Sequence, residues 1–163
     1  VNIRAGSVAD LPEVLRLGDE AVEWLVARGR AAQWGAQPWS QDPERVQRVS
    51  EQIQGGDLQL AEVDGAVVGA LILGERVPYV PPVDEPELYL VLLLASRQHR
   101  GVGAALIEFA LAEARRRGVS VVRVDCWSGG DGKLVEYYRG QGFTPTVEVP
   151  VRDTTVQVFE RRL

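Results

Sequence analysis

The stretch Gln98-His99-Arg100-Gly101-Val102-Gly103 decides how this chain is read. It follows the almost wholly apolar run Leu88 to Leu94. The segment after it, up to Arg117, sets Val102, Leu106, Phe109, Ala110 and Ala114 on one helical stripe. A strand therefore gives way, through a glycine-opened turn, to a helix. Such a junction aims several backbone N–H groups at one point with a positive helix terminus behind them, which suits a phosphate. An NTPase-type phosphate loop would need a Lys-Ser/Thr pair after its last glycine, and none is present. A dinucleotide fingerprint would need a third glycine where Leu106 stands, and an opening strand rather than a mid-chain one.

Working outward, Val1 to Arg4 reads as a short strand. Ser7 or Asp10 caps a helix running to about Arg28, with Pro12 in its first turn and Gly29 behind it. Ala31 to Ser40, carrying Trp34 and Trp39, is irregular. Asp42-Pro43-Glu44 opens a second helix, which Gly55-Gly56 stops. Leu58 to Val63 and Ala66 to Leu73 flank Asp64-Gly65, a two-residue hairpin signal. Gly74 to Pro86 is a proline-rich loop with three carboxylates, and Leu88 to Leu94 reads as a strand covered on both faces. Beyond the motif helix and its Gly118 cap come a strand from Val119 to Cys126 and a short helix from Lys133 to Gly140. Phe143 to Leu163 is a hairpin turning near Arg152-Asp153. The order β-α-α-β-β-β-α-β-α-β-β describes one mixed α/β domain over residues 1–163.

Of the 163 residues, 45% are hydrophobic, enough for a core without disulfides or metals. Cys126 is the only cysteine and His99 the only histidine, which excludes an intrachain disulfide and makes no provision for a metal. No apolar run approaches the roughly 18 residues of a membrane span, and the chain opens on a strand rather than a secretion signal. The expectation is a soluble cytoplasmic protein. A net charge of −5 argues against nucleic acid or an anionic membrane as partner. An anionic ligand must then be held locally, while a cationic one is attracted overall. Lys133 is the only lysine, a bias that carries no mechanism.

Gln98-x-x-Gly101-x-Gly103 resembles the acetyl-CoA pyrophosphate loop of the GNAT (Gcn5-related) N-acetyltransferases. Tyr138-Arg139-Gly140-Gln141-Gly142-Phe143 is similar to that family's closing Tyr-x-x-x-Gly-Phe segment, and the element order agrees from first strand to last hairpin. The resemblance covers essentially the whole chain, most specifically Leu88 to Phe143. It implies a central twisted, mostly antiparallel sheet flanked by helices, and direct acetyl transfer from acetyl-CoA to a primary amine of a small molecule or peptide. A non-catalytic acyl-CoA-binding module of the same fold is the alternative. The resemblance also implies that Gln98, His99, Arg100, Gly101, Val102, Gly103 and Ala104 surround the pyrophosphate, mainly through the N–H groups of residues 99 to 104. Arg100 can equally be a solvated charge. By the same resemblance the preceding strand splays from its neighbour, so that Val91, Leu92 and Leu93 hold the pantetheine arm and one N–H polarises the thioester carbonyl. Leu93 stands where the family usually has valine.

The resemblance makes Tyr138 the candidate general acid. A phenol with a pKa of about 10 is protonated at neutral pH and can meet a departing thiolate. Glu87, at the start of the central strand, is the first choice of base for the amine, with Asp84, Glu85, Glu75 and Asp125 as rivals. His99 is expected to contribute backbone while its ring faces solvent, and Cys126 to be an ordinary strand residue. The family commonly places an asparagine seven residues before the tyrosine; here that position is Asp131, which can cap a helix but cannot donate when ionised. Trp24, Trp34 and Trp39 either wall an acceptor pocket for a cationic amine or pack the first helices onto the sheet. Valines 147, 149, 151, 156 and 158 of the last hairpin make a homodimer conceivable.

Overall fold

The computed structural model describes residues 1–31 and 33–163. Its elements are β1 (Asn2–Ala5), α1 (Leu11–Ala27), α2 (Pro43–Gly55), β2 (Asp57–Val63), β3 (Ala66–Gly74), β4 (Glu87–Ala95), α3 (Val102–Arg116), β5 (Val121–Trp127), α4 (Lys133–Gly140), β6 (Thr144–Val151) and β7 (Thr154–Arg162). This is the expected succession, with most ends displaced by a residue or two. The strands form one seven-stranded sheet in the order β1-β2-β3-β4-β5-β7-β6. β4 and β5 pair in parallel; the pairs β1–β2, β2–β3, β5–β7 and β6–β7 are antiparallel. The chain divides into two compact units, Val1–Gly74 with Leu92–Leu106 and Glu75–Val91 with Ile107–Leu163, and the division falls inside β4 and inside α3.

In the first unit, Arg4 of β1 reaches both Asp10 at 3.1 Å and Glu62 of β2 at 3.0 Å. The expected first helix is split: one 3-10 turn, Val8–Asp10, precedes α1. Pro12 has no N–H to give Val8, so an unbroken α-helix from Val8 would lack that bond. The turn is held instead by a reciprocal cap in which Ala9 N–H donates to Ser7 Oγ and Ser7 N–H to Asp10 Oδ2. α1 buries Val14, Leu15, Leu17, Val22 and Leu25, and α2 buries Val49 and Ile53, against a β3 that is buried from Val67 to Leu73. Each such side chain contributes about 1.5–3 kcal/mol relative to exposure. Asp64 and Gly65 both adopt positive φ, as a two-residue hairpin turn of this hand requires.

In the second unit β5 pairs along its whole length with β7, from Val121↔Arg162 to Trp127↔Val156. One core cluster joins Val80 of the 75–86 loop, Tyr89 of β4 and Val158 of β7, with Val77, Val91 and Val149 packed on it. Arg123 ties the loop down, donating to Pro81 O and to Glu87. Val156 and Val158 are buried within this unit, and Val147 is exposed. Among the described residues no helix is long and apolar enough to cross a membrane.

Candidate active site

The glycine turn lies in the first unit. Ser96 N–H donates to Val68 O at 2.7 Å, fixing the end of β4, and Gln98 N–H donates to Ser96 Oγ at 3.2 Å. Gly101 then takes φ +79°, a conformation that favours glycine, and the first bond of the helix runs from Ala105 N–H to Gly101 O. Among the described residues, no hydrogen bond of good geometry joins the N–H groups of residues 99–104 to a protein acceptor, although turns close over residues 97–98 and 100–101. Val102 and Leu106 anchor this helix start in the core. Their neighbour on β3 is Gly69, where a Cβ would come within 2.6 Å of Val102 Cγ1 and 3.1 Å of Leu94 O. Only glycine lets the helix start approach the strand so closely. The side chains of Gln98, His99 and Arg100 are exposed, as expected for His99.

β4 is not uniformly covered, contrary to the expectation of burial on both faces. Leu88, Tyr89, Leu90 and Leu94 are buried, whereas Val91, Leu92 and Leu93 are only partly so. The parallel ladder with β5 accounts for part of the difference. It joins Glu87, Tyr89 and Leu88 to Val121, Arg123 and Val122 and goes no further, so Leu90 and Val91 have no β5 partner. Beyond Tyr89 the ladder no longer pairs β4 with β5.

Tyr138 is placed by the end of α4. Phe143 N–H donates to Tyr138 O and Gly142 N–H to Arg139 O, both near 3 Å, with Gly142 at φ +89°. These are the two bonds of a Schellman cap, and its usual apolar contact is the Tyr138–Phe143 ring pair, 6.0 Å between centroids. Phe159 of β7 lies 5.5 Å away on the same ring. The Tyr-x-x-x-Gly-Phe pattern thus has a structural cause: it ends the helix and fixes this one ring. Tyr138 is 6% exposed, and its hydroxyl meets no protein partner among the described residues. Burial pushes the phenol well above its ordinary pKa, with Cys126, Tyr137 and Asp125 adding to it. Cys126 is itself buried, its thiol pushed up to about 12 by burial and then by Asp125, which suits an inert strand residue.

The candidate carboxylates separate clearly. Glu87 pairs with Arg123 at 3.0 Å, and that guanidinium is 4% exposed. Glu87 is thereby the counter-ion of a buried cation. Glu85 pairs with Arg162 on the surface. Asp125 accepts from Tyr89 Oη at 2.5 Å and from Tyr79 Oη at 2.8 Å. Burial raises its pKa, opposed by the two phenol bonds and by Arg123. Neither tyrosine was singled out by the sequence, because both stand far along the chain from Asp125; the β4–β5 register brings Tyr89 near it and the 75–86 loop brings Tyr79. Asp131 is exposed and accepts from Lys133 N–H, but Gly132, at φ +75°, occupies the cap position foreseen for it.

The tryptophans do not form an open aromatic wall. Trp39 is 1% exposed, lies on Gly18 of α1, and has Arg45 4.6 Å from its ring. Trp24 carries the guanidinium carbons of Arg28 and Arg97 at 4.0 and 4.1 Å. Trp39 packs on α1, Trp24 is partly exposed, and the cations against these two rings are the protein's own.

Residues 19–143 match the acetyltransferase (GNAT) family. No curated protein matches the chain. Solved structures share the fold throughout. A ribosomal-protein-alanine N-acetyltransferase from Brucella melitensis superposes with a TM-score of 0.70 at 24% identity, covering 100% of both chains. A putative acetyltransferase from Salmonella typhimurium, solved with its cofactor acetyl-CoA, gives 0.67 at 21%, covering 99% of this chain and 93% of its own. The ribosomal-protein-S18-alanine N-acetyltransferase from Escherichia coli gives 0.68 at 17%, covering 99% and 92%.

Proposed function

The chain belongs to the acetyltransferase (GNAT) family, and on that premise we propose that it is an enzyme moving the acetyl group of acetyl-CoA directly to a primary amine. The observation that carries this reading is the run of N–H groups at residues 99–104, which no hydrogen bond of good geometry joins to a protein acceptor and which stand at the start of α3. Backbone donors at such a turn and a positive helix end suit a pyrophosphate. Gln98 and Arg100 flank them and add side-chain donors. Val91, Leu92 and Leu93 receive the pantetheine arm, and an N–H among them polarises the thioester carbonyl. Asp131, which accepts from Lys133 N–H, cannot donate to the cofactor when ionised.

Acetyl-CoA, when bound, supplies the activated acyl group; the chain supplies orientation and proton handling. The Tyr138 hydroxyl has no protein partner to hold it and remains protonated, which supports its role as the acid that meets the thiolate. That thiolate, with a conjugate-acid pKa of about 8.5 by analogy with cysteine, is a good leaving group and needs only modest help. Glu87, held by Arg123, serves the shape of the loop face rather than proton transfer.

The test combines calorimetry with acetyl-CoA and thiol release in the presence of an amine panel. Because two fold relatives act on a ribosomal-protein alanine, the panel includes a peptide with N-terminal alanine beside small polyamines. Micromolar binding with thiol release on at least one amine is expected. Binding without turnover on any amine would instead favour the acyl-CoA-binding module, and absence of binding would end both readings.

A further inference from the structure

Asp125 is a partly buried carboxylate with no cation bonded to it among the described residues. Parallel register sets Tyr89 opposite Arg123, and strand alternation then brings Tyr89, Val91, Arg123 and Asp125 to one face of the second unit's strands. Arg123, the nearest cation along β5, spends its donors on Glu87 and Pro81 O. Two phenols converge on Asp125 instead: Tyr89, fully buried in the core cluster, and Tyr79, 42% exposed on the loop. They occupy two of about four lone-pair positions of the carboxylate, and its own backbone N–H takes part of a third. A desolvated carboxylate with no cation bonded to it costs stability, and the phenol hydrogen bonds with the nearby charge of Arg123 offset only part of that. Packing alone does not call for it. An ammonium group would complete it, supplying both the missing charge and the remaining donors.

Resting on the acetyltransferase reading above, we propose that Asp125 binds the acceptor's ammonium group and acts as the general base, with Tyr79 and Tyr89 positioning its carboxylate. The acceptor is then a primary amine that arrives charged and is deprotonated in place. One ammonium proton passes to Asp125. The nitrogen lone pair forms a bond to the thioester carbonyl carbon, and the carbon–sulfur bond breaks with its electron pair going to sulfur. A second proton from nitrogen passes to the thiolate by way of Tyr138, and Asp125 returns its proton to water. The products are an amide, the thiol of CoA and one released proton.

Burial strengthens Asp125 as a base, while both phenol bonds weaken it. The groups facing it are Tyr79 from the loop, Tyr89 from β4 and Arg123 from β5; Cys126 alternates to the other face of β5, where the Tyr138 ring packs on Phe159. Of these only Asp125 titrates on the acid side. In the wild type, kcat/KM should therefore fall on the acid side as Asp125 becomes protonated. The measurement is kcat/KM from pH 5 to 9 on an amine that the wild type turns over, with acetyl-CoA affinity by calorimetry, for wild type, Asp125→Asn and Tyr79→Phe. Asp125→Asn should lose roughly 10²–10⁴-fold in kcat/KM and the acid limb with it, while acetyl-CoA affinity stays within about threefold. Tyr79→Phe removes one bond to the ionised carboxylate from an exposed position, so it folds normally and its acid limb moves to higher pH. An Asp125→Asn variant with near-wild-type kcat/KM, or a Tyr79→Phe limb that does not move, overturns the proposal while leaving the acetyltransferase reading intact. A wild type that binds acetyl-CoA but turns over no amine overturns both.

Discussion

Tyr138 puts structural and chemical roles on different atoms of one residue. Its ring is held between Phe143 and Phe159 and its carbonyl closes the α4 cap, so the ring cannot be spared. Its hydroxyl has no protein partner and contributes nothing to that packing. Tyr138→Phe should therefore leave the thermal midpoint nearly unchanged, since the hydroxyl is not among the buried polar atoms left without a partner. Turnover should fall by about 10²-fold, the low end for acid–base catalysis because the thiolate leaves readily. Acetyl-CoA affinity should hardly move. Thermal unfolding, calorimetry and steady-state rates on one variant separate these effects; a loss of stability with full activity would make the residue purely structural. The tyrosine was legible in the sequence because its cap is local, five residues from Tyr138 to Phe143. The Asp125 partners were not legible, since Tyr79 and Tyr89 meet it from 46 and 36 residues away.

At the scale of elements, the glycine turn is positioned by how α3 lies on β3 and β4. Gly69→Ala would put a methyl group 2.6 Å from Val102 Cγ1 and 3.1 Å from a backbone oxygen that cannot rotate away. The first turn of α3 must then move. Overpacking of this kind costs about 1–3 kcal/mol, and acetyl-CoA affinity should fall in parallel because the same turn carries the donors. Urea unfolding and calorimetry on the one variant check both halves. The other end of α3 responds to acid. Glu113, held by Arg116 and Arg117, has its pKa lowered from 4.5 to about 2. A group depressed in the folded state contributes stability above its unfolded pKa, and that contribution disappears as pH falls from about 4.5 toward 2. Glu113→Gln should flatten the acid limb of the stability curve in that window. The effect is small, since these arginines are solvent-facing and screened.

For the molecule as a whole, hydrophobic period and turn chemistry made the element order readable. Asp64-Gly65 marked its hairpin, Asp42-Pro43 its helix start, and the run from Leu88 its central strand. What stayed hidden was pairing at a distance. Nothing local in Leu88 to Val91 says that the β4–β5 ladder stops at Tyr89, because register between strands separated by a helix depends on both partners at once. Local chemistry also left open what the contacts decide: the tryptophans could wall an acceptor pocket or pack, and Arg28, Arg97 and Arg45 lie against two of them. That arrangement gives the net charge of −5 a testable consequence. A negative molecule draws in a polycationic amine over distances of about a Debye length, roughly 30 Å at 0.01 M salt and 3 Å at 1 M. If the overall charge governs encounter, kcat/KM for a triamine should fall steeply with added salt, while that for a monoamine falls little. Acetyl-CoA, anionic and held by local N–H donors, should bind no more weakly as repulsion is screened. Arginines clustered at Trp24 work in the opposite sense on any acceptor that passes them. A triamine whose kcat/KM rises with salt would therefore show that this local cluster, and not the net charge, sets the approach of the acceptor. Steady-state rates across an ionic-strength series with the two amines decide between the fields.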